Sequence, residues 1–211
     1  MNGLRLALRG VAAGLTFLGG IGSPLRAEDQ PTGWQPFESR AFHDRERAEW
    51  PALPEFVRQA FVAAEDRYFF DNLAHRSVIT LYLAKQRGTR GSVEALARTL
   101  ELGTVLGHDE ILDWFVHTVY FGRRCFGVDG AAMAYFGKPP TKLAVQEAAL
   151  LAALVKAPAQ FQPDRDPDRA LERRNFVLGE MVQAGFLDTT EAAKALPLGV
   201  LKPLRDCARQ P

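Results

Sequence analysis

The sequence predicts an all-α domain, and three observations lead to that prediction. Apolar residues recur at the i, i+3 and i+4 spacing of a helix from residue 53 onward. Glycines and prolines cluster between these segments, where they are typical of turns. No segment shows the strict alternation of polar and apolar residues that marks a half-buried strand.

The chain is predicted to have four regions. Residues 1–27 combine two early arginines, an apolar run and the sequence LRA, which together indicate a signal peptide, with an uncleaved anchor as the alternative. Residues 28–52 are polar and contain prolines, so we expect an extended lead-in. Residues 53–200 form the domain, and residues 201–211 form a C-terminal tail.

The first helix of the domain has a buried face that its spacing defines. Its members are Leu53, Phe56, Val57, Ala60, Phe61 and Ala64. Further helices are predicted at 77–86, 92–102 and 108–121. Residues 142–156 are apolar nearly all round and predict the central buried helix. Turns between short helices are expected at Gly122, Gly127, Gly130 and Gly137.

The last long helix carries signals at both ends. Asp166 is a typical N-cap, Pro167 suits the first helical position, and Gly185 suits a stop just beyond the end. Asp188 and Glu191 have the spacing of a capping box for one more short helix.

Composition excludes some function classes. The formal net charge is +1, from 26 basic and 25 acidic residues, so there is no bulk basic field of the kind that nucleic-acid-binding proteins use. Cys125 and Cys207 lack partners at zinc-ligand spacing, so they do not predict a metal site. The two cysteines pair only in an oxidising compartment, and the default expectation is one buried thiol and one tail thiol.

A Glu-Asp pair closes the first helix, in the stretch AAEDRYFF. Glu65 and Asp66 follow an apolar run directly and precede three aromatic residues. The residues alone allow two interpretations. Either the helix end leaves the core, or a catalytic acid is held on a rigid element at the rim of a cleft.

Three longer stretches resemble a known family. They are LPEFVRQAFVAAEDRYFF, FGVDGAAMAYFGKPPTKLAVQEAALLAALVKAPAQFQP and DPDRALERRNFVLGEMVQAGF. Together they are similar to glycosyltransferase family 51, the peptidoglycan transglycosylase domain of penicillin-binding proteins and monofunctional transglycosylases. The resemblance covers about residues 53–200.

The resemblance implies a lysozyme-like helical domain with a smaller membrane-facing jaw. It implies a reaction in which lipid II units are joined into glycan strands outside the cytoplasm, at the periplasmic face of the inner membrane. The implied partners are lipid II, nascent glycan strands, the inner-membrane surface and proteins of cell-wall synthesis. It implies no cofactor, apart from a divalent cation that some such reactions place on the pyrophosphate.

Two carboxylates are candidates for catalysis by this resemblance. Glu65 matches the catalytic glutamate of the family motif E-D-x-x-F, and Asp66 and Phe69 match its next letters. Glu94 matches the glutamate of R-K-x-x-E together with Arg90, although Gly91 replaces the lysine and the alignment needs a one-residue insertion. The alternative for Glu94 is an ordinary solvated glutamate on a helix.

Substrate-binding residues are also implied. SVITLYLAK resembles the family segment S-T-I-T-Q-Q-L-x-K, in which Thr80 and Lys85 match and Leu81 and Tyr82 replace two glutamines. A lysine such as Lys85 is otherwise common on a helix surface.

A pair of arginines and two substituted positions complete the match. Arg173 and Arg174 match the family's arginine pair, with a surface cluster beside neighbouring acids as the alternative. Asp113 and His117 replace the family's glutamate and asparagine, and we expect a structural role for both.

The chain departs from the family pattern near the donor site. Eleven residues separate Glu65 from Ser77, where the family has a much longer segment, so a reduced jaw is expected. Loss of the glutamines and of the motif lysine removes hydrogen-bonding groups. Three functions are therefore weighed: a glycan polymerase, an impaired module that binds glycan or lipid II, and a lysozyme-like hydrolase, against which the stretches YFGKP and ERRNFVL argue.

Overall fold

The computed structural model describes residues 38–47, 50–86, 91–195 and 205–207, all within one compact unit, Pro36–Pro211. The α-helices in these ranges are α1 Glu38–Arg47, α2 Glu55–Glu65, α3 Val78–Gln86, α4 Ser92–Val105, α5 His108–Thr118, α6 Val128–Phe136, α7 Val145–Lys156, α8 Pro167–Gln183 and α9 Thr189–Ala195. The β structure of the described residues is limited to one bridge between Tyr120 and Phe126. The all-α prediction is confirmed for this part of the chain.

The core is built on α7, which packs against both α2 and α8. Residues 147–154 of α7 are buried without interruption, as the apolar sequence predicted for a central helix. On α2, the side chains of Val57, Ala60 and Phe61 are fully buried. Since α2 also packs on α8, the three helices all pack on one another.

A second layer consists of α3, α4 and the 3-10 turn Ala74–Arg76, with α3 also packing on α5. This turn approaches α4 closely at Gly103, where any Cβ atom would collide with the backbone of His75. The glycine therefore sets how near the turn can lie to the helix.

The predicted signals at the ends of α8 and α9 are confirmed. Asp166 accepts a hydrogen bond from the Arg169 amide at 3.0 Å, and Pro167 is the first helical residue. Gly185 has a φ of 73°, in the left-handed region that glycine tolerates. Asp188 Oδ1 accepts from the Glu191 amide at 2.8 Å, and Glu191 Oε2 accepts from the Asp188 amide at 3.4 Å.

The extended lead-in predicted for residues 28–52 is wrong in part, because 38–47 form α1. This helix docks through His43, which is fully buried and lies edge-on to the Trp50 ring at 5.7 Å. Arg40 adds an ion pair to Glu110 of α5 at 2.9 Å. Tertiary contacts outweigh the polar composition of this segment.

The default expectation of two thiols is also wrong, because Cys125 and Cys207 form a disulfide. Gly130, predicted as a turn residue, lies inside α6 instead. A Cβ at Gly130 would come within 3.3 Å of Cys207 Sγ, so the glycine leaves room for the sulfur.

Some predictions concern residues outside the described ranges. These are the signal peptide or anchor at 1–27, Arg90, and most of the tail at 201–211. Within the ranges that the structure describes, no helix combines the length and apolar character that a membrane crossing requires.

Candidate active site

Glu65 is the last residue of α2, and its carboxylate is partly withdrawn from solvent. Its Oε1 atom is buried and has no hydrogen-bond partner among the described residues. A buried carboxylate oxygen without a partner is costly and uncommon in folded proteins. Glu65 therefore has the character of a functional carboxylate, because no described residue donates a hydrogen bond to its Oε1.

Burial is the main influence on the ionisation of Glu65. It raises the pKa of the carboxyl group above its ordinary value, while the positive charges of Lys156 and Arg173 act in the opposite direction and lower it. A carboxylate with a raised pKa is a stronger base than an ordinary glutamate. The site thus combines a base with two cations.

The two cations come from the two helices that pack on α2. Lys156 is the last residue of α7, and sequence reasoning did not select it. The signal that would have found it is its position at the end of the buried helix, where α2 also ends. Arg173 lies in α8, as the arginine-pair match predicted, although its role in binding substrate remains a prediction.

Arg173 is held partly by an aromatic ring. Its guanidinium lies 4.7 Å from the centre of the Phe176 ring, and its Nε is buried without a hydrogen-bond partner in the described structure. It also lines a cavity of about 420 Å³ together with Gln160 and Phe161. The buried Nε of Arg173 therefore retains unused donor capacity.

Asp66 is the C-cap residue of α2 and directly follows Glu65. Its backbone amide donates to the Val62 carbonyl at 2.8 Å, and its side chain is half-buried. The next residue, Arg67, pairs with Glu180 of α8 at 3.6 Å and lies over the Tyr68 ring. The chain that leaves the Glu65 end of α2 is thus anchored to α8, while substrate binding by Asp66 stays a prediction.

A groove of about 710 Å³ runs between α3 and α4. Its lining residues are His75, Arg76, Ser77, Val78, Leu81, Lys85, Ser92, Ala95, Leu96 and Thr99. Lys85 and Arg76 provide positive charge, whereas Leu81 makes part of the wall apolar. Tyr82 does not line the groove, because its ring packs edge-on against Phe115 at 5.3 Å.

Glu94 lies in the first turn of α4 and is half-buried. The charges that act on Glu65 come from Lys156 and Arg173, and Glu94 is not among them. The two predicted catalytic carboxylates are thus on different helices, α2 and α4. A catalytic role for Glu94 remains a prediction.

Two predicted substrate-binding residues are buried in the structure. Thr80 is fully buried and donates its hydroxyl hydrogen to the Ala74 carbonyl at 2.6 Å. Arg174 is also buried, bonds to Asn175 Oδ1 at 2.6 and 3.0 Å, and has a pKa lowered by its burial. Substrate binding by Thr80 and Arg174 stays a prediction, whereas the surface-cluster alternative for Arg174 is wrong because its side chain is buried.

Asp113 and His117 have the structural roles expected of them. Asp113 accepts from Arg58 Nε at 3.1 Å, which ties α5 to α2. His117 lies 2.8 Å from Asp129 and stacks on Trp50 with ring centres 5.2 Å apart.

One cluster among the described residues has the composition of a metal site: His43, Asp44 and Glu110. Its two carboxylates already pair with arginines, Asp44 with Arg40 at 3.2 Å and Glu110 with Arg40 at 2.9 Å. Since a cation is already supplied by the protein, these residues do not fit a metal ion well.

Comparison with known proteins identifies related sequences. A family model described as Transglycosylase matches residues 73–182, just over half of the chain. Glu65 precedes the matched range, so its assignment depends on the E-D-x-x-F motif.

Several relatives are penicillin-binding proteins 1A. That of Aquifex aeolicus is 34% identical over 179 residues, which is 71% of this chain and 25% of the relative. That of Mycobacterium tuberculosis is 34% identical over 69% of this chain and 22% of the relative. The chain thus spans about a quarter or less of these relatives' length. A crystal structure of the Haemophilus influenzae protein of that name has a TM-score of 0.49 and 24% identity, over 75% of this chain and 18% of that one.

Proposed function

The chain belongs to the transglycosylase family, and we propose that it is a peptidoglycan glycosyltransferase that polymerises lipid II into glycan strands and releases undecaprenyl pyrophosphate. One observation supports this proposal above the others. Glu65 presents a buried, unpartnered carboxylate oxygen beside the charges of Lys156 and Arg173.

The proposed reaction inverts the configuration at C1 of the donor sugar. Glu65 accepts the proton of the 4-hydroxyl group of the acceptor sugar as that oxygen bonds to C1. The bond between C1 and the pyrophosphate oxygen breaks, and its electron pair leaves with the pyrophosphate. The raised pKa of Glu65 suits a base, because it increases the affinity of the carboxylate for that proton.

The leaving pyrophosphate gains negative charge, which cations stabilise. Lys85 at the groove and Arg173 beside Glu65 are the proposed contacts. Glu94 is proposed as the second carboxylate, with Arg90 near it in sequence. A divalent cation on the pyrophosphate is proposed as an accessory to the reaction. The proton transfer to Glu65 does not require it.

The proposed location is the outer face of the inner membrane, after export to the periplasm. Support comes from α4, whose polarity is inverted. Arg98 and Glu101 are buried, whereas Val93, Leu96 and Leu100 are 84, 59 and 43% exposed. An exposed apolar helix face beside the cationic groove suits an anionic lipid surface.

A second candidate function is an impaired module that binds glycan, lipid II or a cell-wall synthesis protein without chemistry. The observation that favours it is the shortage of hydrogen-bonding side chains in the groove between α3 and α4. Leu81 lines the wall where the family has a glutamine, and Thr80 is turned into the core. Each missing hydrogen bond to a charged group is worth about 1.5–3 kcal/mol of stabilisation.

The test is a lipid II polymerisation assay with the purified chain and two variants. Glu65→Gln removes the base, and Glu55→Gln is the matched control, since it makes the same change at the other end of α2 on an exposed residue. Glycan strands from wild type and the control only would support the polymerase. Absence of product from all three folded proteins, with saturable lipid II binding, would support the binding module.

A further inference from the structure

The C-terminal residues 205–207, here called the strap, are held on the domain by several bonds. Cys207 is joined to Cys125 by the disulfide, which links positions 82 residues apart in sequence. The Cys207 amide donates to the Arg123 carbonyl at 3.2 Å, and the Arg205 amide donates to the Ala134 carbonyl of α6 at 3.2 Å. The strap therefore lies against α6 and the turn before it.

Arg123 connects the strap to a second segment through two ion pairs. Its Nη2 pairs with Asp206 of the strap at 2.7 Å, and its Nη1 pairs with Asp164 at 2.9 Å. Asp164 belongs to residues 157–166, here called the connecting loop, which joins the end of α7 to the start of α8. One guanidinium thus bridges the strap and the connecting loop.

The backbone at Arg123 and Arg124 has an unusual conformation that accompanies these contacts. Arg123 and Arg124 have φ angles of 50° and 59°, in the left-handed region that residues other than glycine seldom adopt. Such conformations persist where the surrounding contacts fix them. Here those contacts are the disulfide at Cys125 and the two ion pairs of Arg123.

The connecting loop is adjacent to the candidate active site through both of its ends. Lys156 directly precedes the loop, and Arg173 lies in the second turn of the helix that follows it. These are the two cations whose charges act on Glu65. From α8, Glu180 also faces this region but is paired with Arg67 at 3.6 Å.

From this geometry we infer that the disulfide-held strap positions the cations of the active site, with Arg123 as the positioning residue that transmits its hold to the connecting loop. The inference rests on the proposed role of Glu65 as the base. The strap makes no contact with the reacting atoms. Its effect is to keep Lys156 and Arg173 at a fixed distance from the carboxylate.

The inference predicts that release of the strap changes the ionisation of Glu65. The cations lower the pKa of Glu65, so their withdrawal raises it, and the acidic limb of the pH profile moves to higher pH. We expect kcat to fall about tenfold, short of the roughly 10²-fold loss that a 1 Å misplacement causes. KM should change less, because the strap does not touch the substrate.

Three perturbations release the strap in different ways. Cys125→Ser with Cys207→Ser removes the disulfide, and a dithiol reductant does the same to wild type. In that reaction the dithiol gives two electrons and two protons to the disulfide, becomes a disulfide itself and leaves two cysteine thiols. Asp206→Asn keeps the disulfide and breaks only the ion pair to Arg123. Asp168→Asn on the exposed start of α8 is the matched control.

Two readouts do not require activity: hydrogen exchange of the connecting-loop amides, and carboxyl NMR titration of Glu65. Faster loop exchange and a raised Glu65 pKa in the released forms, but not in Asp168→Asn, would support the inference. Lower global stability with unchanged loop exchange and titration would overturn it and leave a merely structural disulfide.

A mutant cycle tests the transmission through Arg123. Asp164→Asn and Asp206→Asn should have non-additive effects on the Glu65 titration, because each breaks the same bridge. Additive effects would remove Arg123 from the connection. If wild type makes no glycan while the titration still responds to the strap, the proposed function fails and the positioning inference stands.

Discussion

Arg98 and Glu101 lie 3.7 Å apart on the inner side of α4, where both are buried, while the outer side of the same helix is apolar. This reversal predicts that the outer side is covered when the protein works. We expect Leu96→Ser with Leu100→Ser to weaken binding to anionic lipid vesicles by at least about tenfold, because full burial of a leucine side chain stabilises by about 1.5–3 kcal/mol.

Vesicle co-sedimentation measures that effect. Met133→Ser on α6 is the control, since Met133 is also exposed but lies away from α4. Equal vesicle binding by the double variant and wild type would mean that α4 does not meet the membrane. A partner protein that covers the apolar side of α4 would then be the hypothesis to test.

The raised pKa of Glu65 predicts a pH-dependent stability. The folded-state pKa lies above the unfolded value of about 4.5, so the free energy of unfolding decreases as pH rises through that interval and stays lower above it. Glu65→Gln removes this loss. We expect a higher Tm than wild type at about pH 7 and no difference below about pH 4.

Thermal unfolding over a pH series checks this prediction, with Glu55→Gln as the exposed control. A lower Tm for Glu65→Gln at neutral pH would mean that ionised Glu65 is stabilised by contacts that compensate its burial.

The cations beside Glu65 predict the sign of two further variants. Lys156→Met and Arg173→Met each remove a charge that lowers the pKa of Glu65, so each should move the acidic limb of the kcat/KM profile to higher pH. Lys142→Met, on an exposed turn, should leave the profile in place. An unmoved limb in both variants would exclude Lys156 and Arg173 from the electrostatics of the base.

The groove between α3 and α4 predicts a binding defect at Lys85. Lys85→Met should weaken lipid II binding about tenfold or more, because a hydrogen bond to a charged group is worth about 1.5–3 kcal/mol. Lys194→Met on α9 is the control. A titration with lipid II in micelles measures both, and equal affinities would place the pyrophosphate outside this groove.

The connecting loop predicts a stability effect at α6. The Tyr135 hydroxyl lies 2.9 Å from both Gln162 Oε1 and the Phe121 carbonyl, and burial raises the pKa of Tyr135. Tyr135→Phe leaves the Gln162 oxygen without this donor, so we expect a loss of about 1–3 kcal/mol in the free energy of unfolding. Chemical denaturation measures it, and an unchanged midpoint would mean that water replaces the hydroxyl.

Local patterns were sufficient to predict most helices, because they depend on spacing and end signals. The buried faces of α2 and α7, and the caps of α8, followed from residues close together in sequence. The same reasoning placed Glu65 at a helix end. Of the two cations that act on Glu65, the sequence identified Arg173 but not Lys156, since Lys156 reaches the site through the packing of α7 on α2.

What local patterns missed is decided by contacts between residues distant in sequence. Thr80 and Arg174 are buried, which their sequence neighbours did not indicate, and their contacts to substrate stay predictions. The burial of the charged residues Arg98 and Glu101 on α4 likewise has no signal in the neighbouring sequence. The disulfide joins two cysteines with no pattern between them, and its strap lies in the segment predicted only as a tail.

Gly130 has a consequence for the evolution of this chain. Gly130 is the third residue of α6, where glycine still has a lower helix propensity than alanine, so its presence calls for a reason. The reason lies in the second cysteine, whose sulfur takes the space of the missing methyl group. Position 130 and the cysteine pair should therefore be inherited together. Alanine at 130 should therefore be tolerated better in descendants that lose the disulfide than in those that keep it, where the sulfur would have to shift.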